Sequence, residues 1–287
     1  MTSELNGRLM LITGATSGIG KAAANALAAK GASLVILARN EEKAKAATAE
    51  IASRTGNKSL EIIRCDLSSL DNVRSAAKEF LSKHERLDVL IANAGVIQGK
   101  RHLTADGFEY TLGVNHLAHF VLTNLLLDTL KRSAPSRVVV TSSASHLRAH
   151  MDFDDLMEAR SYSPWKAYGQ SKLANTLFTF ELSKRLEGTK VTANCFHPGL
   201  VRTSIGAGLG GISGFAYPIS YPFAISPEKG AETLVYLASS PEVEGVTGDY
   251  FYQKKPDVTN PEVKDPNVQK RLWEVSERLT SKWIEPL

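Results

Sequence analysis

Short apolar runs alternate with longer helix-forming stretches along most of the chain. Leu9 to Ile12 is an apolar run that stops at a glycine-rich turn, and Lys21 to Lys30 then has the alanine and leucine content of a buried helix. Ser33 to Leu37 is a second run, followed by the charged, alanine-rich Glu41 to Arg54, which suits an exposed amphipathic helix. The alternation continues with a strand at Leu60 to Cys65, a helix over Leu70 to Lys83, a strand at Val89 to Ala92 and a long helix from about Asp106 to Lys131. A strand at Arg137 to Thr141, a helix over Trp165 to Leu186, a strand at Val191 to Phe196, a helix over Pro227 to Ser239 and a short strand at Asp249 to Tyr252 complete it. The strands are apolar throughout rather than at every second position, as a parallel sheet covered on both faces requires. The pattern predicts an α/β fold, a doubly wound parallel sheet with helices on both faces.

No fixed-period repeat or Pro/Ser-rich linker divides the chain, so one domain spanning residues 1–287 is expected. Two stretches break the alternation. Residues 204–225 are rich in glycine, proline and aromatics, with Leu209, Ile212, Phe215, Tyr217, Tyr221 and Phe223, and read as a substrate lid. Residues 256–287 form a charged C-terminal extension.

Composition removes several classes of function. With 43% hydrophobic and 22% charged residues, the chain is globular rather than disordered or fibrous. The net charge of +4 is spread without a basic block, which speaks against nucleic-acid binding. Two distant cysteines, Cys65 and Cys195, sit in strand-like surroundings and predict buried free thiols in a reducing compartment. Neither a leader-like N-terminus nor an apolar run near the roughly 18 residues of a membrane span is present, so a cytoplasmic protein without integral membrane contact is expected. His116 and His119 share a helix face but have no H-E-x-x-H carboxylate, so packing is expected of them and no metal site is predicted. His146 and His150 fall in a loop that could border a cleft, and an ordinary polar loop accounts for them equally well.

The turn Thr13-Gly14-Ala15-Thr16-Ser17-Gly18-Ile19-Gly20 joins the first strand to the first helix. There a dinucleotide pyrophosphate would meet backbone N–H groups and the positive end of the helix. Gly14 permits the tight turn, Gly18 removes a Cβ beside the phosphates, and Gly20 lets the helix approach the sheet. The spacing G-x-x-x-G-x-G differs from G-x-G-x-x-G, although the physical mechanism is shared. The second strand ends in Ala38-Arg39, not in an acid. A guanidinium there can fork onto a 2′-phosphate, and no carboxylate repels it, which favours NADP(H) over NAD(H). Farther on, Tyr168 and Lys172 stand four residues apart on one helix face, where an ammonium would lower the affinity of the phenol for its proton.

The T-G-x-x-x-G-x-G turn at this position resembles the short-chain dehydrogenase/reductase family, and the resemblance extends over nearly the whole chain. It implies a Rossmann-type sheet and a dinucleotide lying across the strand ends, contacted by Thr16, Ser17, Gly18, Ile19 and Arg39. It also implies that Asp66 and Leu67 meet the adenine and that Asn93-Ala94-Gly95 lies beside the adenine ribose. Pro198, Gly199, Val201 and Thr203, in a P-G-x-x-x-T segment, would contact the nicotinamide amide. A catalytic set of Asn115, Ser143, Tyr168 and Lys172 is implied, with Ser142 as the alternative to Ser143. In this set Tyr168 would act as general acid/base, Lys172 would also bind the nicotinamide ribose, and the Asn115 region would hold a proton-relaying water.

The interval between Ser143 and Tyr168 is longer than in the family's smaller members. His146 to Arg160, Tyr162-Ser163, Ser171 to Phe178 and Leu272 to Ser276 resemble the retinol dehydrogenase and WW-domain oxidoreductase subgroup. An NADP(H)-dependent oxidoreductase acting on a hydrophobic alcohol, ketone or aldehyde is therefore expected, with a homodimer or homotetramer built through the helices carrying Asn115 and Tyr168. A noncatalytic NADP-binding scaffold and a C=C reductase similar to protochlorophyllide reductase are the alternatives.

Overall fold

The computed structural model describes residues 4–202, 205, 209, 224–285 and 287. Thr203 and most of the expected lid, including Ile212, Phe215, Tyr217, Tyr221 and Phe223, lie outside the described residues.

The strands are β1 (Leu9–Thr13), β2 (Ser33–Ala38), β3 (Leu60–Arg64), β4 (Val89–Ala92), β5 (Ser136–Thr141), β6 (Val191–Phe196), β7 (Tyr250–Tyr252) and β8 (Lys255–Pro256). They form one sheet in the order β3-β2-β1-β4-β5-β6-β7-β8, parallel throughout except for the short antiparallel β8. The chain winds outward from β1 to β3 and then returns to place β4 on the other side of β1, so strand order reverses between β1 and β4. In such sheets a crevice opens at that reversal, beyond the strand C-termini. The unbroken apolar strands follow from burial on both faces: β4 and β6 are buried at every position.

Helices α1 (Gly18–Ala29), α2 (Glu41–Thr55) and α7 (Pro227–Ser239) cover one face. There Leu27, Ile51 and Leu234 pack on Met10, Ile12 and Ile36. Helices α3 (Leu70–Lys83), α5 (Ala118–Arg132) and α6 (Pro164–Arg185) cover the other, where Phe80, Phe120 and Phe178 close on Leu11, Leu90 and Val138.

The long helix expected from Asp106 begins later. Asp106 accepts a hydrogen bond from the backbone N–H of Leu70 at 2.8 Å, and Gly107 takes a left-handed conformation at φ +87°. Glu109 caps the helix start through the N–H groups of Thr111 and Leu112, so the short helix α4 spans Tyr110–Leu112. The backbone then widens into a π-turn, Gly113–Leu117, before α5, and this turn carries Asn115. Inserted π-turns of this kind concentrate at functional sites.

The C-terminal extension, read in the sequence as a charged segment, contains a 3₁₀ turn (Pro261–Lys264) and helix α8 (Pro266–Ile284). Asp265 caps α8 with Pro266 in its first turn, and Gln269, Leu272, Trp273, Ser276, Thr280 and Trp283 form the buried face. That face lies on α5 and α6. Trp273 meets Phe120 at 4.9 Å and stacks on Phe178 at 5.8 Å between ring centres, with the Arg185 guanidinium 4.2 Å above it. Trp283 donates from Nε1 to Asp71 on α3 at 2.8 Å. Helix α8 thus covers part of the α5 and α6 surfaces.

Replacing Trp273 by Ala should lower the free energy of unfolding by about 3–5 kcal/mol, because the indole fills a closed aromatic cluster. Urea denaturation checks this, and a loss below about 1 kcal/mol would show that α8 is not an integral part of the core.

Candidate active site

The predicted residues converge on a cleft of about 490 Å³ at the strand C-termini. Its walls come from the Gly14–Gly20 turn, Arg39 after β2, Asp66 and Leu67 after β3, Asn93–Gly95 after β4, and Ser142 and Ser143 after β5. Tyr168 and Lys172 from α6 and Pro198 after β6 complete this set. Three predicted residues are placed differently, the first being Asn115, which is fully buried and is not part of the cleft wall. Val201 is bridged to Ile225 and packs against Gly230, while Gly199 turns with φ +82° beside Ile225 and Tyr252. Neither is part of the cleft wall, and Thr203 is outside the described residues.

The glycine turn is shaped by contact with its surroundings. A Cβ on Gly14 would stand 2.8 Å from the Ala94 Cα, and one on Gly20 would overlap the Gly14 carbonyl and the Asn93 amide. Side chains cap the starts of α2, α3, α4, α6, α7 and α8, whereas α1 begins at Ser17 with no side-chain cap. Its first backbone N–H groups, at the cleft wall, therefore lack the side-chain acceptor that those six helices supply. This arrangement fits a pyrophosphate, whose oxygens would supply the missing acceptors.

Thr13, the first residue of the T-G-x-x-x-G-x-G turn, holds the opposite wall, a role that the motif did not assign to it. Its Oγ1 accepts from the backbone N–H groups of Asn93 at 2.9 Å and Ala94 at 3.0 Å, fixing the Asn93–Gly95 turn. The same hydroxyl meets His119 Nε2 at 2.9 Å, and His119 Nδ1 meets the Asn115 carbonyl at 3.0 Å. Because that carbonyl can only accept, Nδ1 donates and Nε2 accepts from Thr13. Burial holds His119 down to about 4, so the ring is neutral, as this pattern needs. The histidine expected to pack is thus also a link between the π-turn and the glycine turn.

Lys172 is 1% exposed, and its Nζ donates to the Thr141 carbonyl at 2.9 Å. The ammonium lies 5.7 Å from the centre of the Tyr168 ring. A Cβ on Gly95 would come within 3.2 Å of Nζ, so the last residue of the Asn93–Gly95 turn leaves room for this charge. Burial lowers the Lys172 pKa to about 8.

The two adjacent serines have different surroundings. Ser142 is buried, with its hydroxyl donating to the Lys172 carbonyl at 3.0 Å and sharing a hydrogen with Thr176 at 2.8 Å. Ser143 is half-buried, caps the 3₁₀ turn Ala144–Arg148 and is bonded to Ser145, a neighbour in its own turn. The Asn115 side chain is committed on both of its ends: Oδ1 accepts from Val96 N–H at 2.8 Å, and Nδ2 donates to the Val96 carbonyl and to Ser171, each at 3.0 Å. It fixes the segment after the Asn93–Gly95 turn against α6, next to Tyr168.

The long interval between Ser143 and α6 is tied to the same walls. Tyr162 donates to the Gln98 carbonyl at 2.8 Å, and Gln170 of α6 donates to the Leu156 carbonyl at 3.1 Å. Ser163 caps α6 with Pro164 in the first turn, which sets where Tyr168 emerges. At the other end of the cleft, the exposed Arg39 donates from Nη1 to the Tyr110 hydroxyl at 3.4 Å. Tyr110 is a further wall residue that no motif marked. Cys65 also lines the cleft, its thiol pushed up to about 12 by burial and by Asp66, so it stays protonated at neutral pH.

His116 and His146 lie outside the cleft wall. Among the described residues no cluster of His, Cys, Asp and Glu could hold a metal ion, and no helix is long and apolar enough to cross a membrane.

Comparison with known proteins gives this geometry a context. The short chain dehydrogenase family model matches residues 8–210. Human retinol dehydrogenase 13 is 45% identical over 284 residues, which cover 96% of this chain and 86% of that protein. A structure from Mycobacterium paratuberculosis aligns with a TM-score of 0.78 at 35% identity, covering 96% of this chain and 94% of the other. A short chain dehydrogenase from Shigella flexneri, complexed with NADP, aligns with a TM-score of 0.70 at 26% identity, covering 88% of this chain and 98% of the other.

Proposed function

Because this chain belongs to the short-chain dehydrogenase family, whose members are nicotinamide-dependent oxidoreductases, and is related to retinol dehydrogenases, we propose that it interconverts a hydrophobic alcohol and its ketone or aldehyde using NADP(H). The observation that carries this reading is the buried Lys172 ammonium beside Tyr168, in a cleft that runs without interruption to the uncapped start of α1.

The preference for NADP(H) rests on Arg39, which lines the cleft and directly follows Ala38, the position at the end of β2 where a ribose-binding acid would otherwise stand. A guanidinium there attracts a 2′-phosphate, and Tyr110 restrains it on the cleft side. The Shigella flexneri relative, which binds NADP, supports the same assignment. An apolar substrate is suggested by the name of the related human protein, since retinol is a largely hydrocarbon alcohol.

When bound, reduced nicotinamide supplies the hydride. The chain's own residues then have the following tasks in the direction of reduction. Ser143 and Tyr168 donate hydrogen bonds to the substrate carbonyl oxygen, which polarises the carbon and gathers the negative charge that develops on oxygen. Tyr168 passes its proton to that oxygen, completing the alcohol, and is reprotonated from solvent. The Lys172 ammonium stabilises the phenolate left behind and, held by the Thr141 carbonyl, keeps a fixed position. Asn115 keeps α6 and the Asn93–Gly95 turn in register.

With NADPH and a panel of hydrophobic aldehydes and ketones, Tyr168→Phe should bind NADPH with unchanged affinity and lose at least about 100-fold in kcat, the usual scale of a lost general acid. Near-normal turnover in that variant would remove the proposed chemistry. Arg39→Ala should raise the Kd for NADPH by about 10- to 100-fold and leave that for NADH nearly unchanged, as loss of a charge-assisted contact predicts. Equal weakening of both would show that Arg39 does not read the 2′-phosphate. Lys172 carries its charge below a pKa of about 8 and loses it above. Reductive kcat/KM should therefore fall as pH rises through that value, while a profile still rising well above it would exclude a role for the charged form.

A further inference from the structure

Two buried histidines connect the C-terminal segment to the backbone at two residues of the proposed catalytic set. The first connection runs through His146, which is fully buried. Its Nδ1 lies 2.7 Å from the Ser143 carbonyl, and the backbone N–H of Asn260 donates to its Nε2 at 3.4 Å. A carbonyl can only accept, so Nδ1 carries the hydrogen and Nε2 is the free acceptor that Asn260 needs. Asn260, itself 4% exposed, extends Nδ2 to the carbonyls of Ala149 at 2.7 Å and His146 at 2.9 Å. The 3₁₀ turn Ala144–Arg148 that Ser143 caps is therefore held at both ends by one residue of the C-terminal segment.

The second connection runs through His116, the residue after Asn115 in the π-turn. His116 Nε2 shares a hydrogen bond of 2.8 Å with the Ser276 hydroxyl of α8, and both residues are 1% exposed. A π-turn departs from the regular ladder of the helix on either side, so its path depends on external support. Phe120, Phe178 and Ser276 surround this ring and supply it. Burial lowers the pKa of both histidines, that of His116 to about 3, so both rings are neutral, as the donor–acceptor bridge through His146 requires.

We propose that the C-terminal segment is part of the active-site framework, with Asn260 and Ser276 as positioning residues that act through His146 on Ser143 and through His116 on Asn115. This rests on the function proposed above. The segment folds back onto the middle of the chain to do so: Asn260 bonds a residue 114 positions earlier and Ser276 one 160 positions earlier.

The test is a pair of double-mutant cycles read in kcat at saturating NADPH and carbonyl substrate. Asn260→Ala and Ser276→Ala should each lower kcat by about 10-fold or more, the scale of small displacements of catalytic groups, with the Kd for NADPH within about twofold of wild type. Ser276→Thr, which keeps the hydroxyl, should restore the rate. In a Ser143→Ala background, Asn260→Ala should cost less than about twofold of the residual turnover, and Ser276→Ala should behave likewise in Asn115→Ala, because each acts through a group already removed. A residue that only stabilises the fold would lower the melting temperature and leave kcat unchanged, or cost the same factor in both backgrounds; either result overturns the proposal. Should Asn260→Ala fail to fold, the Ser276 arm, which removes a single oxygen, decides alone. A wild-type protein without turnover on any hydrophobic carbonyl would instead bring down the functional reading, whereas wild-type turnover with unaffected variants would bring down the positioning role only.

Discussion

Lys172 places a positive charge where the fold leaves it little water. Its Nζ meets the carbonyl at the end of β5, and among the described residues no carboxylate lies within ion-pair distance. Isolating a charge in this way costs several kcal/mol unless other groups offset it, and here the offset comes from the Thr141 carbonyl dipole and the face of the Tyr168 ring. The surroundings are arranged to permit it. Gly95 withholds a side chain that would crowd Nζ, and Ser142 and Thr176 tie down the Lys172 backbone carbonyl. A group held at such a cost is what a proton-transfer site needs, since its charge state changes close to neutral pH.

From that ammonium the structure extends outward as linked restraints. Asn115 ties Ser171, the neighbour of Lys172, to the segment after β4, and His119 continues from the Asn115 carbonyl to Thr13 and the glycine turn. The helix that supplies Lys172 is packed against α8 through Phe178 and Trp273. The two ends of the cleft are therefore not independent loops set on a sheet. They are joined through side chains buried on one side of it, with the sheet's reversal between β1 and β4 determining where they meet.

The sheet was legible in the sequence because a doubly covered parallel sheet demands continuous apolar strands, and few other segments of this chain satisfy that demand. β4 and β6 and helices α3 and α7 fall where the pattern puts them. The start of α4 was misplaced because Asp106 looks like a helix cap and instead caps α3, while Gly107 and Glu109 delay the helix by local hydrogen bonding. The π-turn has no compositional signature at all. Helix α8 was concealed by its charge, although its buried positions Leu272, Trp273, Ser276, Thr280 and Trp283 recur at helical spacing. Around the cleft, the motifs marked most wall residues but not the individual hydroxyls and carbonyls that hold them in place. Thr13, Tyr110 and Thr141 act through a single hydroxyl or carbonyl, which only three-dimensional proximity brings into use.

The late position of α8 along the chain has a consequence for how the molecule is made. Trp283 is bonded to Asp71, 212 residues earlier, and Trp273 closes the aromatic cluster over α5 and α6. During synthesis the Phe120 and Phe178 rings must wait until every element through α8 has left the ribosome before their cover arrives, and closure of such distant contacts is slow. Until then the nascent protein displays a greasy helical surface that a chaperone, or another unfinished copy, would readily engage.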